Sequence, residues 1–563
     1  MAVKKEKILA YALQNAVEHG GRAIAGSVLP KLFQEGLKKE EIGKIMPDVI
    51  KAVSEVNKMP AEKQKEEWEK HEKNVKKHEH KEREGLPELE NAVKGKVVVR
   101  HAPFPSGAIH LGNAIPLIIN DEYRKMYDGK AILIIDDTIG SEEKQISEDS
   151  YKMIPEDMTA LGIKWIEPVI YRSDRLEIYY KYALELIKKN KAYVCHCDSK
   201  KLRENRAKGK ECKCRSQSVE ENLGGWDFML SKKAKEGSAA LRIKTSMQNE
   251  NPAFRDRVLF RISDRKHPRT GSSYRVWPML EMTAAVDDHL LGITHVIRGN
   301  QLRIESELEQ FIWDIFGWKH PTLVYTPRVV IYSGDVNILS KSKSQAEVES
   351  GKYSGWDDPR TWSIRSLLKR GIQVEALRSF ISKFGMSEKE SMEVPIDLLY
   401  NENKKLIEDS SRYFFINEPV KIKIQNAPAM KAKAPLHPAI PKKGFRNFET
   451  AGEFYITKRD FNDIKKSKEG AVYRFMHLFN FTRKGSKFFY HSTEHTDELG
   501  AKLIHWLPSS EQGKIKIMME DGKYAKGIAE NASMKLKQGT IVQFERFAFC
   551  RKISDNEWWF TQK

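Results

Sequence analysis

One stretch of the chain, residues 97–138, constrains the fold more strongly than any other. It opens with three valines, residues 97–99, a β-branched run that is typical of a strand buried on both faces. Pro103 and Pro105 end this regular structure, and a glycine-containing turn follows. An amphipathic helix comes next, and residues 131–135 then form a second apolar run. The order of strand, turn, helix and strand predicts an α/β fold.

A proline places the start of that helix. Pro116 is tolerable only in a first helical turn, where the missing amide hydrogen has no partner to lose. The helix should therefore begin within residues 110–113. Asp136 follows the second apolar run, at the carboxyl end of the second strand. A helix N-terminus beside the carboxyl ends of parallel strands binds anions, so the stretch predicts a site for an anionic ligand.

Two short motifs carry a family resemblance. His-Leu-Gly-Asn at residues 110–113 resembles the HIGH motif of class I aminoacyl-tRNA synthetases, and Ile-Leu-Ser-Lys-Ser at residues 338–342 resembles their KMSKS motif. Residues 100–114 and 286–299 resemble glutamyl- and glutaminyl-tRNA synthetases more specifically. The remainder is similar to the archaeal-type glutamyl enzymes, and this resemblance covers nearly the whole chain.

The resemblance implies a multidomain α/β protein with a Rossmann-type nucleotide-binding domain. Helical periodicity in residues 42–56 and strand alternation in residues 420–424 support helical and β-barrel regions at the two ends. The Lys/Glu-rich run at 61–84 is a solvated helix or a mobile linker, and we favour the helix. The expected parts are a helical N-terminal extension (1–95), the catalytic domain's first half (96–190), an inserted acceptor-end-binding domain (191–282), the catalytic domain's second half with the KMSKS-like loop (283–350), a helical connecting domain (351–412) and β-barrel anticodon-binding domains (413–563).

Activation of an amino acid by ATP develops charge on phosphate oxygens, so the protein must supply positioning and electrostatic stabilisation. The resemblance implies this role for motif residues, although a lone His or Lys is more often a capping or surface residue. The expected catalytic residues are His110, Asn113, Ser340 and Lys341. The expected ATP-binding residues are Pro103, Gly107, His110, Gly112, Asn113 and Lys341. Asn113 stands where the family has His, and Ile338 stands where it often has Lys.

Three residues match family positions that hold the amino acid. Arg100 would meet the substrate side chain, and its guanidinium suits a γ-carboxylate. Asp136 would bind the amino group and Arg298 the α-carboxylate. The alternative for Asp136 is a turn or cap, and for Arg298 an internal ion pair. Leu280 and Ala284 replace polar residues of the family, which weakens the choice of amino acid.

Four of the five cysteines form two C-x-C pairs. Four thiolates from two knuckles suit a tetrahedral Zn²⁺ ion, and some glutamyl-tRNA synthetases have a similar cluster in the domain that binds the acceptor end. The alternative is four reduced thiols. The expected ligands of this structural zinc are Cys195, Cys197, Cys212 and Cys214.

Composition limits the partners. A net charge of +19 favours a polyanion such as nucleic acid, with a solvated Lys-rich surface as the alternative. Five cysteines in 563 residues argue against a disulfide scaffold and fit a reducing cytoplasm. No run approaches the length of a membrane span. Aromatic and basic residues alternate in the C-terminal part, where about half of the aromatics should be barrel core.

Together with these features, the resemblance implies a cytoplasmic, monomeric enzyme that uses ATP with Mg²⁺ to join glutamate to tRNA through glutamyl-adenylate. It should contact both the acceptor end and the anticodon loop of the tRNA. Whether the glutamine tRNA is also charged stays open. The alternatives are a glutaminyl-tRNA synthetase and a non-catalytic tRNA-binding paralogue; a small-molecule adenylyltransferase would leave the barrels unexplained.

Overall fold

The computed structural model describes residues 5–18, 21–33, 35, 37, 41–72, 75, 85–139, 145–333, 336–337, 341–384, 386, 390–496, 499–511 and 513–563. The chain forms two units, Met1–Arg83 and Glu84–Lys563. No helix in the described ranges has both the length and the apolar character needed to cross a membrane.

The first unit is helical. Its helices are α1 (Lys5–Glu18), α2 (Ala25–Phe33), α3 (Ile42–Asn57) and α4 (Ala61–His71). They bury an aliphatic core that includes Leu13, Val49 and Val56. The Lys/Glu-rich run is helical through His71, and most of the remainder of that run lies outside the described residues.

A parallel sheet organises the start of the second unit. Its elements are β1 (Val98–His101), α5 (Leu111–Met126), β2 (Lys130–Ile135), α6 (Ser150–Ala160), β3 (Ile166–Tyr171) and α7 (Leu176–Lys188). Strands β1, β2 and β3 pair in that order, with Arg100 opposite Ile132. The predicted strand, turn, helix and strand are all present.

An antiparallel sheet interrupts this α/β region. Its elements are β4 (Ala192–Cys195), α8 (Ser199–Lys208), α9 (Val219–Leu230), β5 (Ala240–Ile243), β6 (Val258–Ile262) and β7 (Val276–Pro278), with strand order β4-β5-β6-β7. The α/β pattern then resumes with α10 (Leu280–Leu290), β8 (His295–Gly299), α11 (Arg303–Phe316) and β9 (Thr322–Thr326). Strand β8 pairs in parallel with β9, and the Thr294 amide donates to the Val98 carbonyl at 3.0 Å. This contact places β8 beside β1.

The expected connecting domain contains a strand, β12, that the sequence did not predict. The elements from the end of the catalytic domain through this region are β10 (Arg328–Ser333), β11 (Val336–Asn337), α12 (Lys341–Glu349), α13 (Ile364–Arg370), α14 (Val374–Phe384), β12 (Ser391–Pro395) and α15 (Asp397–Ile407). Strand β12 pairs in parallel with β10. Five residues are too few to show a period, and only the distant β10 makes them a strand.

The C-terminal part is β-rich, as predicted. Its elements are β13 (Arg412–Tyr413), β14 (Phe415–Asn417), β15 (Pro419–Gln425), β16 (Met430–Pro435), β17 (Phe445–Thr450), β18 (Glu453–Thr457), α16 (Lys458–Lys466), β19 (Val472–Phe475), β20 (Asn480–Lys484), β21 (Lys487–Ser492), β22 (Lys502–Ile504), β23 (Leu507–Pro508), β24 (Gly513–Met518), β25 (Tyr524–Ala529), α17 (Asn531–Met534), β26 (Ile541–Phe544), β27 (Ala548–Lys552) and β28 (Glu557–Gln562). They form two seven-stranded sheets and a two-stranded ribbon, β16–β17. The edge strands of one sheet, β13 and β14, are separated in the chain only by Phe414, so that sheet curls into a nearly closed barrel.

Candidate active site

A cavity of about 510 Å³ lies at the carboxyl ends of β1, β2 and β8, where the N-terminus of α5 also points. Seven of the residues singled out from the sequence for ATP or amino-acid binding line it. The seven are Arg100, Pro103, His110, Gly112, Asn113, Asp136 and Arg298. The structure therefore brings together residues that are nearly two hundred positions apart in the chain.

His110 begins the helix. It is the N-cap of α5, and its Nδ1 accepts a hydrogen bond from the Gly112 amide at 3.2 Å. The His110 carbonyl accepts from the amides of Asn113 and Ala114, at 2.8 and 3.0 Å. Because Nδ1 is an acceptor, a neutral imidazole carries its proton on Nε2. His110 thus has a hydrogen-bond donor at Nε2, beside the positive end of the helix dipole.

Pro116 lies one turn deeper than the sequence predicted. The first residue of α5 is Leu111, so Pro116 is the sixth residue and falls in the second turn. It has no amide hydrogen to donate to the Gly112 carbonyl, which an ordinary residue would do. Both residues line the cavity, so the helix has a carbonyl acceptor there that is not used by the helical ladder.

Arg100 is held by a buried carboxylate. Its Nε and Nη2 donate to the two oxygens of Asp288, with Nη2 at 3.0 Å from Oδ2. The Arg100 side chain is 7% exposed and that of Asp288 is fully buried. The bidentate pair fixes the guanidinium plane at the cavity wall and leaves Nη1 outside the pair.

Asp136 is tied to a fully buried arginine. Its Oδ1 lies 2.7 Å from Arg172 Nη1, and its amide donates to the Pro103 carbonyl at 3.1 Å. Arg172 also lies 3.5 Å from Asp287, which pairs with Arg175 at 2.8 Å. Asp136 therefore belongs to an alternating chain of acids and arginines beneath the cavity.

Arg298 pairs with another buried acid. Its Nη1 donates to Glu309 at 2.8 Å and to Ser306 at 3.1 Å. This is the internal ion pair considered as an alternative, yet Arg298 also lines the cavity, and its Nε has no hydrogen-bond partner among the described residues. Burial raises the pKa of Glu309 to about 7, so the guanidinium faces a carboxyl that ionises near neutral pH.

Sequence reasoning missed the partners of these charges: Asp288, Asp287, Glu309 and Arg172. The first two lie in the segment that carried the family resemblance, which was a usable signal. Glu309 and Arg172 lie on α11 and just before α7, in segments where no motif was identified. The residues expected to bind the amino acid were identified by resemblance, but nothing in the sequence showed that each is paired with a second charged residue.

The remaining expected residues lie around this cavity or outside the description. Leu280 lines the cavity and Ala284 is buried one turn further along α10. Gly107 sits beneath the indole of Trp356. Lys341 is the first residue of α12. Ser340 and Ile338 lie outside the described residues.

The four cysteines converge at the end of β4. Their sulfurs all lie within 4.8 Å of one another, and the Sγ atoms of Cys195 and Cys212 are 3.7 Å apart. Zinc–sulfur bonds of about 2.3 Å in a tetrahedron separate sulfurs by about 3.8 Å, so the donor set fits Zn²⁺. Nη1 of the buried Arg242 lies 3.8 Å from each of these two sulfurs, where it would offset thiolate charge. Cys550 is buried elsewhere.

A second cavity, of about 360 Å³, lies between the two C-terminal sheets. Arg546 makes a bidentate pair with Asp460, at 3.0 and 3.1 Å, and donates to His505 Nδ1 at 3.1 Å. Burial lowers the pKa of His505 to about 4, so its ring is neutral. Phe547 and the exposed Arg459 also line this cavity, as do Glu418, Asp463 and Lys502. As expected, part of the aromatic and basic pattern is core: Phe448, Phe475 and Phe544 are buried, and so is Arg446, between Glu530 and Glu545.

Comparison with known proteins agrees with this architecture. Residues 96–409 match the model of the tRNA synthetases class I (E and Q), catalytic domain, and residues 410–503 match the anti-codon binding domain of the same group. The chain is 42% identical over 560 residues to a protein named glutamate–tRNA ligase from Pyrococcus abyssi, covering 96% of each chain. It is 38% identical over 559 residues to the protein of that name from Methanothermobacter thermautotrophicus, covering 98% of this chain and 97% of that one.

These matches place the cavity, with its helix N-terminus and paired arginines, in the catalytic domain of a class I tRNA synthetase. The chain belongs to the glutamate and glutamine (E and Q) family of that class. The resemblance found from the sequence motifs is confirmed, as is the α/β multidomain fold with a β-rich C-terminal part.

Proposed function

We propose that the chain attaches glutamate to tRNA in two ATP-dependent steps. The observation that carries this proposal is the arrangement of the cavity. Two arginines and one aspartate, which would bind the amino acid, face the N-terminus of α5. The relatives named glutamate–tRNA ligase support glutamate over glutamine. In the first step the glutamate carboxylate attacks the α-phosphate of ATP and releases pyrophosphate. In the second step a hydroxyl of the terminal adenosine of the tRNA takes the glutamyl group.

The α5 end of the cavity would bind ATP, which brings its Mg²⁺ with it. His110 donates from Nε2, and Asn113 supplies an amide donor one turn into the helix. These donors and the helix dipole would stabilise charge that develops on the α-phosphate during attack. Lys341 would contact the triphosphate from the KMSKS-like motif, with Ser340 beside it. Pro103 and Gly107 shape the loop that precedes the helix.

The strand end of the cavity would bind glutamate. Arg100 would receive the γ-carboxylate through Nη1, while Asp288 holds its other two nitrogens. Asp136 would accept hydrogen bonds from the amino group, and Arg298 would use Nε for the α-carboxylate. Each contact is fixed by a partner before the ligand arrives, which lowers the entropic cost of orientation. Leu280 adds an apolar wall in place of a polar one.

The tRNA would span the molecule, with its acceptor end near the inserted sheet and its anticodon loop on the C-terminal sheets. The lining of the cavity between those sheets includes the aromatic ring of Phe547 and the exposed guanidinium of Arg459. These two groups suit an unstacked nucleotide. None of the five cysteines, all within the described residues, forms a disulfide bond, which agrees with a reducing cytoplasmic location. We expect the enzyme to act as a monomer.

Aminoacylation with labelled glutamate and labelled glutamine, on separate glutamate and glutamine tRNA transcripts, tests the proposal. Glutamate transfer to one or both transcripts is the expected result and also settles tRNA discrimination. Glutamine transfer would identify a glutaminyl-tRNA synthetase with an altered pocket around Leu280. Retention of tRNA without any transfer would identify a non-catalytic paralogue, and no retention would leave the adenylyltransferase alternative.

Lys341 tests the assignment at a single residue. We expect Lys341→Ala to retain tRNA in a filter-binding assay and to lose glutamate-dependent exchange of pyrophosphate into ATP. The nearby Lys343 is the matched control, because Lys343→Ala removes the same charge two residues along the chain. Near-normal exchange by Lys341→Ala would remove this residue from the proposed mechanism.

The four thiols would hold a structural zinc ion that cross-links the two cysteine knuckles of the inserted domain. Elemental analysis of purified protein should return about one zinc per chain, and Cys197→Ser should lower that ratio. Cys550→Ser is the control, because Cys550 lies apart from the cluster. Zinc-free protein with four titratable thiols at this site would favour the alternative of reduced cysteines.

A further inference from the structure

A short segment after α12, residues 354–364, packs against the loop that leads into α5. The Ile364 amide donates to the Ile109 carbonyl at 2.8 Å, and the Leu111 amide donates to the Trp362 carbonyl at 3.2 Å. His110 and Ser363 form an isolated antiparallel bridge between these two hydrogen bonds. The backbone on both sides of the His110 imidazole is therefore set by this segment.

Within this segment, the Trp356 side chain contacts the loop that leads into α5. Gly107 has a φ of +137°, and a Cβ built there would lie 2.1 Å from Trp356 Cζ2. The indole thus rests on the Gly107 backbone, and glycine is required both by this contact and by the φ value. Trp356 itself lies outside the cavity lining.

The backbone of Trp356 is anchored in turn. Its carbonyl accepts from Thr361 Oγ1 at 2.9 Å and from Ser363 Oγ. Ser363 is also the N-cap of α13, accepting from the Ser366 amide at 3.0 Å. Asp358 fixes the intervening turn, since it accepts from the Ser354 amide at 3.1 Å and the Arg360 amide at 3.0 Å. These contacts fix the Trp356 backbone relative to the bridge at His110, and the indole extends from it onto Gly107.

We infer that Trp356 is a positioning residue for adenylate formation. Its indole fixes the position of the loop at Gly107, and the position of this loop determines how the His110 donor is oriented toward the α-phosphate. This inference rests on the proposed function. The ground-state complex depends on many contacts in the cavity, whereas stabilisation of developing charge needs the donor in place to within a fraction of an ångström. Loss of the indole should therefore lower kcat far more than it raises KM.

The test is glutamate-dependent pyrophosphate exchange with tRNA present, for Trp356→Ala, Trp356→Phe and Trp318→Ala. We expect Trp356→Ala to lower kcat about 100-fold, the effect of a displacement of about 1 Å, with both KM values within about threefold. Trp356→Phe should recover most of the rate, because a flat ring still covers Gly107. Trp318 stacks on His289 at the far end of α10, so Trp318→Ala controls for the loss of a large ring.

Each outcome decides the question. Exchange by Trp356→Ala within threefold of an active wild type, or a Phe variant no better than the Ala variant, overturns the positioning role. If Trp356→Ala does not fold, Thr361→Val replaces it, because it keeps the buried volume and removes one donor to the Trp356 carbonyl. We expect a tenfold lower kcat there, and an unchanged kcat overturns the inference. A wild type without exchange instead refutes the proposed function.

Discussion

The cavity in the α/β part and the cavity between the C-terminal sheets both present arginines, but they hold them differently. In the first, Arg100 and Arg298 are at most 7% exposed and each pairs with a fully buried acid. In the second, Arg546 is 34% exposed in its pair with Asp460, and the neighbouring Arg459 is exposed without a pair of its own among the described contacts.

This difference corresponds to the size of the two proposed ligands. A free amino acid offers few contacts, so the groups that bind it must be fixed in advance and desolvated. Buried arginines that pair with acids meet this need, but the loss of either partner leaves an uncompensated buried charge. A tRNA offers many phosphates and bases, so single exposed cations and rings suffice. We expect substitutions in the first cavity to act strongly on glutamate, and those in the second to act weakly on tRNA.

The largest expected effect is at Arg100. Arg100→Lys keeps the charge beside Asp288 but loses the fork that holds two carboxylates at once, so kcat/KM for glutamate should fall at least about 100-fold, or about 2.7 kcal/mol. The KM for ATP should change little. Steady-state exchange kinetics measure both. Arg328→Lys is the matched control, since this exposed arginine lines the same cavity and has no paired acid among the described residues. Equal losses for the two variants would contradict the role given to buried pairing.

A smaller effect is expected at Arg459. Arg459→Gln should raise the KM for tRNA about tenfold, leave the KM for glutamate unchanged, and reduce the slope of log KM against log salt by about one unit. Lys188→Gln, at the exposed end of α7, controls for the loss of one surface charge. A change in the glutamate KM for Arg459→Gln would show that the two cavities do not act on separate ligands.

The two cavities also differ in how far the sequence predicts them. Arg100, Asp136 and Arg298 could be found because each matches a family position at the end of a recognisable apolar run. The acids that hold the two arginines could not be assigned, because Asp288 and Glu309 reach them only when α10 and α11 fold over the sheet. The second cavity was not predicted at all, since Asp460, His505 and Arg546 come from three separate elements that meet between two sheets.

Local rules explain the errors of the fold prediction as well. Pro116 was expected in the first turn because an interior proline usually costs a helix hydrogen bond. In α5 the carbonyl that loses its helical donor is that of Gly112, and Gly112 lines the cavity. The interior proline therefore occurs where a ligand can use the vacant acceptor. Strand β12 was missed because its ladder partner among the described residues, β10, is some sixty residues away in the sequence. Secondary structure made by distant pairing has little local signal.

An effect of several-fold is expected from pH. Burial raises the pKa of Glu309 to about 7 from 4.5, so the carboxyl is neutral at pH 6 and charged at pH 8. The charged form competes with the substrate for Arg298, so the KM for glutamate should rise about three- to fivefold over this range. Glu309→Gln should flatten that profile. An unchanged profile in this variant would mean that Glu309 does not control Arg298.

The same titration affects stability. Between pH 4.5 and 7 the unfolded chain has released the Glu309 proton while the folded chain still binds it. The free energy of unfolding should therefore fall as pH rises through this window and become flat above about pH 7. The difference between wild type and Glu309→Gln in denaturant titrations isolates this contribution from that of other groups. A difference that does not depend on pH would place the pKa of Glu309 near its ordinary value.

The smallest expected effect is at Asn113, where the family has His. Asn113 lines the cavity as the third residue of α5, and its backbone amide already donates to His110. Either side chain supplies one N–H donor toward the phosphates, so Asn113→His should keep kcat for exchange within about twofold. Asn113→Leu has similar volume and no donor, and it should lose activity. If the Leu variant matched wild type, the side chain at this position would serve packing alone. The hydrogen-bond donors for ATP at the α5 end of the cavity would then be only those of His110 and the backbone.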